Sequence, residues 1–350
     1  MARIAINGFG RIGRGFLRAA YGRSEIEIVA INDLAPGENL AYLLKYDSVY
    51  GRAKFPVAAE TGALIVDGKR IYLTQKKDPT ELPWEDMKID IVVESTGFFV
   101  DPQKAHAHIS AGAKKVVITA PIKSDPSTGS TSSPQAGSGQ ATAKTILIGA
   151  NEDQFGTCDI SSNASCTTNA ANPLIGILDE AIGIERALLN TTHAYTASQS
   201  LVDSIAPDDF RRGRAGAANL SPSSTGAAKA TTLAYTQLAG KFDGIAVRVP
   251  VTAGSIVDIT FVPKRATSVL EVNDALRAAA ASDRWKRVFA ITDEPLVSSD
   301  IVGQPYGAIA DLAMTRVVEG TLVKVLAWYD NEMGYCHTLV EHVVEVAKRL

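Results

Sequence analysis

Cys166, in the run Ser165-Cys166-Thr167-Thr168-Asn169, is the residue with the most reactive chemistry to offer. Cysteine is the strongest side-chain nucleophile near neutral pH, and a helix N-terminus or an adjacent base favours its thiolate. Residues 160–164 before it read as a polar loop, whereas Leu174, Ile175, Ile177, Leu178 and Ile182 recur at helical spacing. Cys166 is therefore expected at a helix N-terminus, with the helix dipole favouring thiolate over thiol. Pro173 falls beyond the first turn, where its missing N–H would bend or interrupt that helix. His193, one of five histidines, follows the apolar run Ala187 to Leu189 and is the natural base for Cys166. By residue type alone, each has a plainer reading, Cys166 as a small buried hydrophobe and His193 as a core histidine with its bonds satisfied. Spacing does not bring the two together.

A second constellation opens the chain. Gly8, Gly10 and Gly13 in Asn7-Gly8-Phe9-Gly10-Arg11-Ile12-Gly13-Arg14 match G-x-G-x-x-G directly after an apolar strand. Such glycines allow a tight turn, a close approach to a pyrophosphate and close packing of helix on strand. Asp33 follows Gly13 by twenty residues and ends the second apolar run, where a carboxylate accepts the ribose hydroxyls of a dinucleotide. That carboxylate, with the uncharged Leu34-Ala35-Pro36 behind it, favours NAD over NADP, with Lys76 and Lys77 as the nearest cations.

These residues need a scaffold. Apolar β-branched runs at Ile4 to Asn7, Ile26 to Asn32, Ile89 to Glu94, Val116 to Thr119 and Ile146 to Gly149 alternate with helical stretches at Ile12 to Tyr21 and Pro102 to Ala111. The alternation predicts an α/β fold, a Rossmann-type doubly wound parallel sheet. Leu64 to Leu73, with Asp67-Gly68 at its centre, predicts a hairpin. The second half predicts an α+β catalytic domain with a mixed, largely antiparallel sheet: strands at Gly244 to Pro250, Ser255 to Val262 and Leu322 to Tyr329, and a helix begun by the capping box Ser268/Glu271. Residues 1–150 are thus read as the dinucleotide-binding domain, 151–331 as the catalytic domain, and 332–350 as a helix packing back on the first domain through Leu339, Val340, Val343, Ala347 and Leu350. Residues 124–143, rich in Ser, Thr, Gly and Pro, read as a loop insertion unable to fold alone.

Composition narrows the function classes. At 350 residues the chain is long enough for two cores, and 46% hydrophobic with 21% charged residues is ordinary globular material. A net charge of −3 gives no footprint for nucleic acid or an anionic membrane. Three cysteines fit a reducing compartment rather than a disulfide scaffold. No apolar stretch reaches membrane-spanning length, and the first residues leave no room for a signal segment, so the cytoplasm is the expected location. No metal site is expected.

Taken together, NGFGRIGR at 7–14, STGFF at 95–99, SNASCTTN at 162–169, HAYTASQ at 193–199, PSSTGAAKA at 222–230, VRVP at 247–250 and WYDNEMGY at 328–335 resemble the phosphorylating glyceraldehyde-3-phosphate dehydrogenases. The resemblance runs in register along nearly the whole chain outside 124–143. It implies that Cys166 attacks an aldehyde, that His193 is the general base, and that the thioester formed is cleaved by inorganic phosphate. It implies NAD contacts at Arg11, Ile12, Asp33, Lys77, Thr96, Thr119, Asn331 and Tyr335. It places the substrate phosphate on Thr196 and Arg248, and the attacking phosphate on Ser165, Thr167, Thr225 and Gly226. Arg212 or Arg214 would assist, and Lys77 stands where many relatives carry arginine. A homotetramer is implied, with the loop 198–220 reaching toward a neighbouring subunit. Many relatives have a second cysteine four residues after the nucleophile, where this chain has Ala170. Two rivals stand beside this reading: erythrose-4-phosphate dehydrogenase, which hydrolyses the thioester with water, and a non-catalytic NAD-binding scaffold. Ser224-Thr225-Gly226 argues against the first, and the joint presence of Cys166, His193, Arg248 and Asn331 against the second.

Overall fold

The computed structural model describes residues 1–122, 143–207 and 209–350. Apart from Ala143, the expected insertion lies outside the described residues. The chain divides into two compact units, Met1–Ile146 with Asn151–Ala164 and Leu339–Leu350, and Leu147–Ala150 with Ser165–Thr338.

In the first unit, β1 (Ala2–Asn7) leads through α1 (Arg11–Ala20) into β2 (Ile26–Asn32) and α2 (Gly37–Lys45). After the small pair β3 (Tyr46–Asp47) and β4 (Gly51–Arg52) come β5 (Val57–Glu60), β6 (Ala63–Val66) and β7 (Lys69–Thr74). Then follow β8 (Ile91–Glu94), α3 (Pro102–Ala105), α4 (Ala107–Ser110), β9 (Lys115–Ile118), β10 (Ala143–Thr145) and β11 (Ile160–Ser162). The sheet order is β10-β11-β9-β8-β1-β2-β7-β6-β5, parallel from β10 to β7. The chain winds outward from β1 through β2 on one side and from β8 through β9 on the other. The switch point therefore lies past the ends of β1 and β8, where doubly wound sheets bind ligands. Burial on both faces explains the unbroken apolar runs: Ile4, Ala5 and Ile6 of β1 and Ile91, Val92 and Val93 of β8 are fully enclosed.

The hairpin forms as expected. Val66 pairs with Lys69, and Asp67 and Gly68 both take positive φ (49° and 75°), the twist that a two-residue connection needs. Elsewhere the expectations shift. Ile146 to Gly149 is not a strand: pairing ends after Thr145, and Ala150 N–H bonds back to the Leu147 carbonyl, so the run is a buried turn. Residues 160–164, expected as loop, begin with β11, whose Ile160 and Ser162 pair with Val116 and Ile118. The single helix expected over Pro102 to Ala111 is two four-residue helices.

The second unit contains α5 (Cys166–Ala181), β12 (Ile184–Ala194), β13 (Ser221–Ser224), α6 (Ala227–Thr232), β14 (Phe242–Val249), β15 (Ser255–Pro263), α7 (Val269–Ala280), β16 (Phe289–Thr292), β17 (Ala308–Val318) and β18 (Leu322–Tyr329). Its sheet runs β13-β14-β12-β15-β18-β17-β16, with β12/β14 and β16/β17 parallel and the other pairs antiparallel. The buried helix α5 packs against β12, β15, β17 and β18. It runs through Pro173 to Ala181 rather than ending there. Ser268 Oγ caps α7 by accepting Glu271 N–H, whereas the Glu271 carboxylate takes Arg265 and Thr267 instead of closing the box.

The last helix, α8 (Met333–Ala347), has Leu339, Val340 and Val343 fully buried, but Leu350 lies beyond its end and is half exposed. No described helix is long and apolar enough to cross a membrane.

Candidate active site

The nucleophile's position follows from the start of α5. Ala164, held at φ 53°, turns the chain sharply, and the next residue, Ser165, is the N-cap, its Oγ accepting Thr168 N–H at 3.1 Å. Cys166 is the first helical residue. The C-terminal end of β12 supplies its partner: alternation along the strand turns Thr191 and His193 to the buried face. His193 Nε2 lies 3.4 Å from Cys166 Sγ. The pairing that spacing left open is therefore made by the fold.

Register supplies the third group. In the parallel pair β12/β14, Arg248 stands beside His193. Its Nη1 lies 2.9 Å from His193 Nδ1 and 3.2 Å from the Ala194 carbonyl oxygen, which is itself 2.6 Å from Nδ1. Burial first, and then Arg248, push His193 down to about 3, so the imidazole is neutral near pH 7. Opposing influences meet at Cys166. Burial pushes the Cys166 thiol up, against the opposing pull of the Arg248 guanidinium and the Thr167 amide.

Tyr329, which motif reading passed over, organises the floor of the site. Its hydroxyl joins Thr167 Oγ1 at 2.9 Å to Thr191 Oγ1 at 2.8 Å, and its ring meets His193 edge-on with centroids 5.9 Å apart. Thr167 is 4% exposed, and both its backbone amide and its hydroxyl pull the Cys166 thiol down against burial. The alternation Thr191–His193 on one strand face was the available signal. Asn331 is fixed too: Ala194 N–H donates to Ser255 Oγ, which donates to Asn331 Oδ1 at 3.0 Å. Tyr335 is buried on α8.

For anions, Thr196 Oγ1 lies 2.9 Å from Ser198 Oγ. Arg212 bonds Ser223 Oγ at 3.2 Å and adds its positive charge to the surroundings of Arg248. Arg214 is engaged elsewhere, with Asp203 at 2.8 Å on the surface. Thr225 Oγ1 accepts Ala227 N–H, and Gly226 opens α6 with space that a Cβ would fill without meeting anything within 4 Å.

The first unit presents the glycine turn. A Cβ on Gly13 would sit 2.2 Å from the Gly8 carbonyl oxygen, and one on Gly8 would strike the Thr96 amide at 2.7 Å. Only glycine fits at either position. Gly10, in contrast, is open to solvent at the N-cap of α1, with no side chain capping the helix. This is a cradle that suits an anionic pyrophosphate. Asp33 Oδ2 accepts Phe9 N–H at 2.7 Å and Oδ1 accepts Ala35 N–H, which fixes the carboxylate beside the turn. Lys77 is exposed, and the preceding Lys76 bonds Asn32 through its backbone, so the two lysines emerge beside the Asp33 strand end. Arg11 is paired with Asp47 at 2.6 Å. Thr119 N–H bonds the Glu94 carbonyl, and Glu94 Oε1 receives both Thr96 N–H and Thr96 Oγ1. Ile12 is half buried in α1. These residues fit a dinucleotide. Among the described residues no group of three or more His, Cys, Asp or Glu could hold a metal ion.

Comparison with known proteins agrees with this geometry. Residues 2–102 match the family model of the glyceraldehyde 3-phosphate dehydrogenase NAD binding domain, and residues 165–331 that of the C-terminal domain. Among curated relatives, glyceraldehyde-3-phosphate dehydrogenase 2 of Streptomyces avermitilis is 44% identical over 99% of both chains. Glyceraldehyde-3-phosphate dehydrogenase 2 of Streptomyces arenae is 46% identical over 97% of this chain and 96% of its own, and the first such enzyme of Bacillus subtilis is 42% identical over 99% and 98%. With both halves matched and full-length relatives at this identity, the chain belongs to the glyceraldehyde-3-phosphate dehydrogenase family.

Proposed function

We propose that this protein oxidises glyceraldehyde 3-phosphate with NAD and inorganic phosphate to 1,3-bisphosphoglycerate. The observation that carries the reading is the Cys166–His193 pair, 3.4 Å apart at the N-terminus of α5 with Arg248 alongside. His193, neutral at working pH, accepts the thiol proton as Sγ attacks the aldehyde carbon. The Cys166 backbone N–H, one of the uncapped donors of the first turn, and the imidazolium hold the hemithioacetal oxyanion. The imidazolium passes its proton to that oxyanion, and His193, neutral again, takes it back from the hydroxyl as hydride leaves the carbon and the thioester forms. NAD, when bound, accepts the hydride. Gly8, Gly10, Gly13, Arg11, Ile12, Asp33, Lys77, Thr96 and Thr119 are the residues that would hold it, and Asn331 and Tyr335 those that would orient its nicotinamide.

Arg248, Thr196 and Arg212 bind the substrate phosphate; both Arg212 and Arg214 are paired with an aspartate, and it is the field of Arg212 at Arg248 that supports Arg212 as the assistant. Ser165, the Thr167 amide, Thr225 and Gly226 receive the attacking phosphate. The presence of Ser224-Thr225-Gly226 favours this over hydrolysis by water, the erythrose-4-phosphate variant. The domain division is part of the proposal: cofactor binding in residues 1–150, chemistry in 151–331, and 332–350 returning to the first domain. So is the cytoplasmic location. A homotetramer is supported by the exposed apolar side chains Leu201, Val202, Ile205, Phe210 and Leu220 on one loop, more than a monomer leaves in water without a use. The deciding assay is NADH formation from glyceraldehyde 3-phosphate and NAD, with and without phosphate or arsenate. Phosphate-independent turnover would favour the hydrolytic rival, and no turnover with any aldehyde would remove the reading.

A further inference from the structure

The four strands beside the glycine turn all end in polar residues. Thr74, Asn32, Asn7 and Glu94 close β7, β2, β1 and β8, and register sets them side by side in one row across the sheet. The next residue in the row, Ile118 of β9, is apolar. In a parallel sheet covered on both faces an apolar side chain is the easier choice at such a position. Glu94 is nevertheless 1% exposed, and His108 beside it is fully buried.

The direction of every hydrogen bond in the row is forced from its two ends. The Lys76 backbone N–H can only donate, and at 2.9 Å it makes Asn32 Oδ1 the acceptor. Asn32 Nδ2 therefore donates to Asn7 Oδ1 at 2.7 Å, and Asn7 Nδ2 to Glu94 Oε2 at 2.6 Å. At the other end the Trp84 indole also only donates, and it reaches His108 Nδ1 at 3.1 Å. The ring proton thus sits on Nε2, which gives it to the same Glu94 oxygen at 3.1 Å. Asn7 Nδ2 and His108 Nε2 come within 3.3 Å of each other because both converge on that oxygen. Glu94 Oε1 takes the Thr96 backbone N–H at 2.8 Å and the Thr96 hydroxyl. A buried carboxylate is tolerated when donors replace its water, and Asn7, His108 and Thr96 supply them.

Thr96 is what the row holds in place. Ser95 Oγ donates to the Gly8 carbonyl oxygen at 2.6 Å, and the Thr96 amide stands 2.7 Å from where a Gly8 Cβ would be. The Thr96 hydroxyl, besides donating to Glu94, accepts Phe98 N–H at 3.1 Å. Its proton is spent inward, so it is not a donor to a ligand.

Resting on the NAD-binding role of this unit in the function proposed above, we infer that Glu94 is a positioning residue for the cofactor. It acts through Thr96, holding residues 95–98 against the Gly8 turn so that this wall of the dinucleotide crevice is formed in advance. Asn7 and His108, each left with one permitted orientation, hold Glu94 in turn. Binding NAD then carries no cost of ordering those residues.

The test reads binding of ADP-ribose, which is NAD without its reacting ring, by calorimetry on the full chain, with NADH formation alongside. Glu94→Gln keeps the shape but turns one accepting oxygen into a donor. The ADP-ribose Kd and the KM for NAD should rise together about tenfold, the size of a lost hydrogen bond to a charged group. The KM for glyceraldehyde 3-phosphate and kcat at saturating NAD should stay within about twofold. A purely structural role would do the reverse: kcat would fall with the folded fraction while the surviving protein bound ADP-ribose at the native Kd. That result would overturn the inference. Thr96→Val removes only the hydroxyl half of the clamp, and its ADP-ribose Kd should rise about threefold. Native affinity in Thr96→Val would overturn the inference even if Glu94→Gln did not fold. In the double variant the two losses should not add. Additive losses would show that Thr96 and Glu94 act separately, and would also overturn it. The two levels stay distinct, because ADP-ribose binding needs no aldehyde chemistry. A native chain that binds ADP-ribose but forms no NADH sinks the function proposed above and leaves this inference to the variants, whereas normal turnover with unmoved ADP-ribose binding in both variants sinks this inference alone.

Discussion

On the proposed mechanism Cys166 and His193 act as one unit, so removing either should cost nearly all of the chemistry. Cys166→Ser should abolish NADH formation while leaving NAD binding, followed by fluorescence quenching, within about threefold of the native value, since a hydroxyl is a far poorer nucleophile without added activation. His193→Asn should slow turnover about 10² to 10⁴-fold. At the cofactor, Asp33 is fixed by two backbone amides and repels a 2′-phosphate, so kcat/KM should favour NAD over NADP at least about tenfold, roughly 1.4 kcal/mol. Asp33→Ala should narrow that ratio, and equal use of the two cofactors by the native protein would contradict the assignment. The glycine turn, Asp33, Cys166 and His193 were all legible as residues, because each belongs to a local pattern with a chemical purpose. Tyr329 was not, because its role is to join Thr167 and Thr191, which lie far from it in the chain.

At the scale of elements, what periodicity encodes came through and what pairing decides did not. β2 and β18 appear over the spans their side chains announce, and Asp67-Gly68 turns as its residue types demand. β10 and β11 hold three residues each, too few to display a period; β11 exists because β9 offers an edge to pair with, and β10 because β11 does. The same is true of Arg248, whose place beside His193 is a consequence of register. Element packing also sets a pH response. His193 on β12 and His342 on α8 are both pushed to about 3 by burial, His342 against Ser161 and the Phe155 ring. Both are neutral in the fold but titrate near 6.5 when unfolded. The unfolded chain binds more protons between those values, so stability is fully present above about pH 6.5 and is lost as pH falls toward 3. The urea midpoint should fall steadily over that interval, and less steeply in His342→Gln. A midpoint flat from pH 7 to 4 would contradict the burial argument.

At the scale of the whole molecule, the apolar loop around Ile205 and Phe210 calls for a partner. Light scattering should give four times the 37.1 kDa chain mass, and an active monomer would refute the assembly. The division of the chain carries a different consequence, for synthesis. Leu339, Val340 and Val343 are buried in the unit that also contains β1, although almost the entire second unit is encoded between them. Domains usually fold in the order they leave the ribosome. Here the unit that emerges first must wait for residues 339–350, while the unit encoded later can complete its sheet sooner. Nascent chains arrested before residue 339 should therefore show protease-resistant second units beside first units that are still readily cut.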